Sequence, residues 1–405
     1  MIVINDKQNC CGCWSCVQAC PKKCIYMLED NEGFLYPSVQ IPNCVDCGLC
    51  EKVCPIINQS EAKMPMYVLA AKNNNLETRI ASSSGGIFTL IAEKIISDGG
   101  VVFGARFNDN WEVVHDCSDT LLGLSAFRGS KYVQSRIEDS YLKAEKYLKA
   151  GRKVLFSGTP CQISGLKLFL RKEYYNLILV DFICHGVPSP GIWRRYLKEN
   201  FVMSQCGRSC EENIVSSHYK TTPISYISFR DKSFGWKNFH FVVRSNSTLP
   251  HSSKNSVIES ECHKENSFMK AFLTNLILRP SCYSCSFRGG KAGSDVTLAD
   301  YWGIQNVDPD FDDDLGVSAV LVNTIKGDEL LRHINCDKRT SEYDAIIKYN
   351  EAIIKSPVKP KFRKKFMDLL ELGKPVSDIS AELTKKMKPN LVRRAINKFK
   401  KVLAK

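Results

Sequence analysis

Nineteen cysteines stand in this chain of 405 residues, and ten of them fall before residue 55. Eight of those ten follow one spacing written twice. Cys10, Cys13, Cys16 and Cys20 are followed by Pro21, and Cys44, Cys47, Cys50 and Cys54 by Pro55, so the second run repeats the first at a constant displacement. A thiolate is a soft anionic ligand, and three of them on one tight loop can grip three corners of an iron–sulfur cubane. The fourth, sent onward by the proline turn, reaches the neighbouring cubane. The spacing therefore assigns Cys10, Cys13, Cys16 and Cys54 to one [4Fe-4S] cluster, and Cys44, Cys47, Cys50 and Cys20 to a second. Structural zinc takes its thiolates in C-x2-C pairs and has no use for this pattern, twice over. Cys11 and Cys24 stand outside the register and read as small buried side chains or solvent-side thiols, not ligands.

The repeat is the bacterial ferredoxin signature, so residues 1–62 are expected to form a ferredoxin-like dicluster module. Two adjacent clusters conduct one electron at a time and need a second redox centre to serve. The rest of the chain offers thiols for one. Cys282 and Cys285 form a single C-x2-C pair, half of what a cubane requires. Cys161 and Cys184 each follow an apolar run of strand character, Lys153–Ser157 and Leu177–Ile183, at the carboxyl edge where open α/β sheets hold their ligands. A third cluster on Cys161, Cys184, Cys282 and Cys285 is expected. Cys206 and Cys210 compete for the role, and buried thiols that bind nothing are the alternative.

Strand, turn, helix, strand is the order of the whole central region, which gives a fold class of α+β or α/β. Met64-Pro65 marks a boundary, and the body divides into residues 63–150 and 151–354. Two turns in it precede helices: Ser82-Ser83-Ser84-Gly85-Gly86 and Gly158-Thr159-Pro160. Such turns leave backbone N–H groups free for an anion, although the same letters cap ordinary helices.

The net charge of +13 is concentrated at one end. Residues 355–405 hold 16 Lys and Arg against 4 Asp and Glu, leaving a nearly neutral body. Leu391, Val392, Ala395, Ile396, Phe399, Val402 and Leu403 recur at helical spacing among basic residues. This helical basic tail suits docking to a membrane surface or a partner protein, or packing on its own body. Nucleic acid is not expected, because no aromatic platform accompanies the charges. The opening Met1–Asp6 lacks the pattern of a signal peptide and no run of eighteen apolar residues exists, so a cytoplasmic protein is expected. In a reducing compartment thiols serve metals or catalysis more readily than disulfides.

Taken in order, several motifs resemble the family of beta subunits of coenzyme F420 hydrogenase and dehydrogenase. They are the cysteine repeat, Ser83-Ser84-Gly85-Gly86, Gly158-Thr159-Pro160-Cys161-Gln162, Phe182-Ile183-Cys184-His185-Gly186-Val187-Pro188-Ser189, Phe229-Arg230-Asp231-Lys232, Arg279-Pro280-Ser281-Cys282-Tyr283-Ser284-Cys285 and Ala299-Asp300-Tyr301-Trp302-Gly303. The resemblance runs to about residue 325. It implies FAD beside the clusters, and an oxidoreductase moving electrons between a one-electron carrier such as ferredoxin and a small-molecule hydride carrier or substrate. Ser84, Gly85, Gly86, Gly158, Thr159 and Pro160 are then the candidates for the flavin site. The Cys184–Pro188 segment and the basic tail look more like bacterial members associated with polysaccharide biosynthesis, so coenzyme F420 itself is not implied as the substrate. The alternative is a non-catalytic electron-transfer subunit docked to a partner enzyme. Arg230 and Lys232 are read as contacts for an acidic substrate or as a solvated hairpin. His185 is read as a structural residue, and no catalytic residue is assigned.

Overall fold

The computed structural model describes residues 1–202, 224–246 and 255–387. At its N-terminal end an antiparallel hairpin, β1 (Ile25–Glu29) and β2 (Leu35–Val39), separates the two cysteine loops. The sequence repeat is also a conformational one. Trp14 and Gly48, equivalent positions of the two copies, enter the helices Ser15–Ala19 and Leu49–Lys52 with the same φ of 68°. Gly12 and Asp46, also equivalent, have φ of 70° and 47°. A tryptophan gains nothing from the left-handed region by itself. The tight loop demands it, and both copies comply. The module's core is small and sulfur-rich, with Ile2 and Ile25 packed among Cys16, Cys24 and Cys50. A unit of about 60 residues with so little apolar filling needs a metal staple to be stable.

The body follows as β3 (Tyr67–Lys72), β4 (Val101–Phe107), β5 (Val113–Ser118), β6 (Val154–Gly158) and β7 (Leu177–Phe182). It continues with β8 (Ile224–Asp231), β9 (His240–Asn246), β10 (Asn255–Cys262), β11 (Val296–Asp300), β12 (Ser318–Val322) and β13 (Asp337–Ser341). Eight of these strands form one sheet in the order β13-β3-β12-β11-β7-β6-β4-β5, and β8, β9 and β10 form a separate antiparallel sheet. The strands β4, β6, β7 and β11 run parallel to one another. Apolar runs such as Val154-Leu155-Phe156 are buried, as parallel strands covered on both faces must be. The helix Pro160–Leu170 supplies the crossover from β6 to β7. The expected boundary at 150/151 falls inside this sheet, since β4 and β6 pair directly across it.

Of the alternatives for residues 355–405, packing on the body holds for the first part: the helices Arg363–Glu371 and Val376–Met387 bury Phe366, Met367, Leu370, Ile379 and Leu383 against the aromatic core of Trp193, Tyr196, Phe229, Phe241 and Phe268. Arg363 pairs through both terminal nitrogens with Glu32 of the N-terminal module, at 2.9 and 2.6 Å. Counting charges in a window missed the apolar stripe that the same window holds. The amphipathic stretch Leu391–Leu403 lies outside the described residues. No helix among the described residues is long and apolar enough to cross a membrane. Because Phe366 is fully buried, Phe366→Ala is expected to cost about 3–5 kcal/mol in urea unfolding. A solvent-facing tail would register almost nothing.

Candidate metal centres

Neighbouring parallel strands bring distant cysteines together. β6 and β7 pair with Gly158 opposite Asp181, so the turns beyond them open side by side at the carboxyl edge of the sheet. Cys161 lies in the first turn of the helix Pro160–Leu170, where Thr159 and Gln162 form a reciprocal cap. Cys184 lies just past β7. The segment before β11 is drawn to the same edge by two backbone bonds, Ser189 N–H to Ile277 O and Arg279 N–H to Val187 O, both 3.0 Å. Cys282 then faces Val187, whose N–H points at Sγ from 3.5 Å. Cys161, Cys184, Cys282 and Cys285 line one cleft of about 850 Å³, and Cys11 borders it from the N-terminal module.

Burial pushes the Cys282 thiol up to about 12. Cys184 rises well above its ordinary value, through burial first and the neighbouring Cys282 second. Cys161 moves the other way, because the Cys11 thiol and Thr159 Oγ1, 3.1 Å distant, favour its thiolate. These are thiols that must release protons to take a metal.

Two smaller cavities lie in the N-terminal module. One of about 350 Å³ is bordered by Cys10, Cys13, Cys16 and Cys54, and one of about 360 Å³ by Cys20, Cys44, Cys47 and Cys50. The exchange of Cys20 and Cys54 between the loops is seen in these linings. Cys11 and Cys24, both buried, border the first and second cavity respectively. Among the described residues no three His, Cys, Asp or Glu converge as they would around a single ion. The thiols ring spaces instead, and a cubane, whose ligands bind separate corners, fits that arrangement.

The wall between the two regions is made by residues that spacing did not single out. Arg279 Nε donates to Cys10 O at 2.8 Å, Nη2 to Leu35 O at 2.9 Å and Nη1 to Gln134 Oε1 at 2.9 Å. Gln134 Nε2 donates in turn to Cys11 O at 2.9 Å. Ser15 Oγ reaches across to Gly165 O at 2.9 Å. The Cys11 side chain packs with Cys13, Cys161 and Cys285. A hint was legible in Arg279, which opens the motif that carries Cys282 and Cys285.

The six flavin candidates are not brought together. Ser84, Gly85 and Gly86 follow β3, whereas Gly158, Thr159 and Pro160 follow β6, four strand intervals away in the sheet order. That is a separation of about 19 Å at 4.8 Å per strand. Ser84 Oγ donates to Val317 O (2.8 Å) and Gly85 N–H to Ser318 Oγ (3.0 Å). Of the six, Pro160 lines the five-cysteine cleft. The lining of that cleft mixes polar side chains, Asp181, Thr297 and Asn323, with Pro65, Phe182, Ile183, Leu321 and Tyr343. Burial raises the Asp181 carboxyl to about 6, and Ser294 Oγ donates to it at 2.8 Å.

Arg230 and Lys232 are neither solvated nor available to a substrate. Arg230 is clamped on Asp300 at 2.8 and 3.0 Å, and Lys232 Nζ donates to the carbonyls of Arg79, Ser84 and Leu315. His185 sits 2.6 Å from Asn275 Oδ1 and edge-on to Phe272, a packed structural position.

Gly165 shows how tightly the module is seated. A Cβ there would lie 2.7 Å from Ser15 Oγ and 2.9 Å from Cys13 Cβ. Within a helix, Gly→Ala ordinarily stabilises by about 0.5–1 kcal/mol. Here Gly165→Ala is expected to destabilise and to lower the iron content per chain, both read on anaerobically purified protein. Asp181 gives a pH signature. A carboxyl raised in the folded state adds stability at low pH that is lost as pH climbs from about 4 through about 6. Asp181→Asn removes that loss, so it is expected to gain about 2–3 kcal/mol on the parent above pH 6 and to match it near pH 4, in denaturant titrations.

The family described as the C terminus of the coenzyme F420 hydrogenase/dehydrogenase beta subunit matches residues 151–345, and the 4Fe-4S dicluster domain matches residues 9–56. The F subunit of the F(420)H(2) dehydrogenase of Methanosarcina mazei is 23% identical over 184 residues, which cover 42% of this chain and 51% of that protein. A 7Fe ferredoxin of Hydrogenibacillus schlegelii is 48% identical over 42 residues, 10% of this chain and 47% of the ferredoxin. The VorC subunit of the ketoisovalerate oxidoreductase of Methanothermobacter marburgensis is 38% identical over 61 residues, 15% of this chain and 76% of VorC. This chain thus spans about half the length of the first two relatives. A chain of the F420-reducing [NiFe] hydrogenase complex from Methanosarcina barkeri aligns over 80% of this chain and 92% of its own, with a TM-score of 0.44 and 15% identity. Residues 151–345 thus carry the C-terminal domain of the coenzyme F420 hydrogenase/dehydrogenase beta subunit family, and a 4Fe-4S dicluster domain precedes it at residues 9–56.

Proposed function

We propose that this chain is a cytoplasmic iron–sulfur flavoprotein oxidoreductase that passes electrons between a ferredoxin-like one-electron carrier and a hydride carrier or small organic substrate. The observation that carries this reading is the cleft, which is lined by four body cysteines together with apolar and polar side chains. At about 850 Å³, part of it open to solvent, it is more than twice either module cavity. When bound, the clusters exchange single electrons and a flavin converts them into two-electron chemistry.

The chain's own residues divide the work. Cys10, Cys13, Cys16 and Cys54 hold one cluster, Cys20, Cys44, Cys47 and Cys50 the second, and Cys161, Cys184, Cys282 and Cys285 a third. Arg288 fixes the Cys184 loop by donating to Cys184 O at 2.5 Å and His185 O at 3.1 Å. Phe182, Ile183, Leu321 and Tyr343 exclude water and suit the faces of a flat ring, while Thr297 and Asn323 suit its polar edge. Asp181, whose carboxyl burial raises to about 6, lines the cleft as a group that exchanges a proton just below neutral pH. Cys47 is exposed, which makes the second set the natural meeting point for an external carrier.

A second reading, an electron-transfer subunit working on a partner enzyme, is supported by relatives that are themselves subunits. The basic residues beyond Lys388 would serve that docking. Iron and flavin analysis of anaerobically purified protein separates these readings. About twelve irons and one FAD per chain are expected, counting four irons per cubane. Cys282→Ser is expected to remove about four of those irons. Eight irons in the parent protein would overturn the third cluster, and twelve without flavin would favour the conduit.

A further inference from the structure

Among the described residues four arginines are buried: Arg79, Arg230, Arg279 and Arg363. Three of them have a carboxylate as counter-charge, Asp313, Asp300 and Glu32 respectively. Arg279, the most buried at 1% exposure, has none in its hydrogen-bonded shell. Its nitrogens go to the carbonyls of Cys10 and Leu35, to the Gln134 amide oxygen, and, from Nη2 at 3.5 Å, to Cys10 Sγ. The guanidinium also lies 4.3 Å from the centroid of the Tyr36 ring. A buried cation without an anion costs several kcal/mol. The groups around Arg279 able to become anionic are the Cys10 thiol first, then the Tyr36 hydroxyl and the Cys11 and Cys282 thiols, and Cys10 is the one within hydrogen-bond reach.

We propose that Arg279 is the counter-charge of the cluster held by Cys10, Cys13, Cys16 and Cys54, and that it raises the reduction potential of that cluster. The proposal rests on the dicluster assignment and not on the third cluster. Its physics is direct. Reduction adds one electron to an already anionic group and forms or breaks no bond, so burial opposes it and a fixed cation favours it. Hydrogen bonds to the sulfurs and local charge are the protein's levers on such potentials. The Cys10 set is largely enclosed, with Cys13 and Cys16 buried, whereas the Cys20 set carries the exposed Cys47. Without compensation the enclosed set would be the harder to reduce, although it faces the five-cysteine cleft. Arg279 stands where compensation is needed, on the wall shared by the Cys10 loop and that cleft.

The test is a redox titration of the holoprotein followed by EPR, with iron content measured on each sample. Arg279→Gln is expected to move one of the two module clusters to lower potential and leave the other in place. The cation interacts more strongly with the reduced, more negative cluster, so the expected shift is about tenfold in the one-electron equilibrium, which corresponds to 59 mV. Arg279→Lys should recover part of it. Arg279 is buried deeply enough that its loss can unfold the module, so Gln134→Glu supplies a second arm. It keeps Arg279 and places a carboxylate 2.9 Å from Nη1, and the same cluster should again fall in potential. Full iron loading with both potentials unchanged in either variant overturns the proposal, as does an equal shift of both clusters. Fewer than about eight irons in the parent protein would instead overturn the dicluster assignment itself.

Discussion

Four thiolates on a cubane must stand apart around a space that no side chain may fill, and much of this architecture answers that constraint. A single ion can be gripped by one hairpin, but a ring of separated sulfurs has to be assembled from several segments. The four body cysteines that line one cleft come from segments after β6, after β7 and before β11. What makes them meet is a backbone fact: β6 and β7 are adjacent and parallel, so their carboxyl ends open on one edge. The bonds from Ser189 and Arg279 then add the third segment as a short antiparallel pairing. In the N-terminal module the same requirement is met by positive φ at Gly12, Trp14, Asp46 and Gly48, which curls each loop around its space.

The seating of the module on the body is equally exacting. Gly165 is bare because Cys13 and Ser15 occupy the volume a side chain would take. Ser15, Arg279 and Gln134 all bind backbone carbonyls across the junction, at Gly165, Cys10, Leu35 and Cys11. Carbonyl directions depend on the path of the chain, so these contacts exist only when the cysteine loops are correctly folded. Since the module's apolar core is slight, loop shape depends on the ligated metal, and docking and metal loading become one equilibrium.

The parts legible in sequence were those with a strict period. The constant displacement between the two cysteine runs defined both module sets, including the exchange of Cys20 and Cys54, because ligand spacing is local and repeated. The grouping of Cys161, Cys184, Cys282 and Cys285 followed from strand logic and a count of thiols. Cys11 was set aside because it breaks the register, yet it is the one cysteine that borders both the Cys10 cavity and the cleft. Its importance comes from three-dimensional adjacency to Cys161, far along the chain, which no local pattern encodes. The turns Ser84–Gly86 and Gly158–Pro160 looked alike as letters, and only the sheet order reveals three intervening strands. Arg230 and Lys232 looked like a solvated hairpin because charge usually means exposure; here a carboxylate and three carbonyls replace the water.

A gradient of exposure gives these pieces a direction. Cys47 faces solvent, the Cys10 set lies deeper, and Cys11 and Arg279 are nearly inaccessible where the module meets the cleft. Electron transfer to a protein partner needs a redox group near the surface, while chemistry on a bound small molecule needs water excluded. A single centre cannot be both exposed and dry. Two sets of module cysteines, one with an exposed member and one beside the enclosed cleft, would resolve the conflict by distance. The duplication of the cysteine loop is then more than a doubling of capacity. The two copies differ in surroundings, one with a cysteine facing solvent and one beside a buried arginine, and that asymmetry is what the second copy contributes.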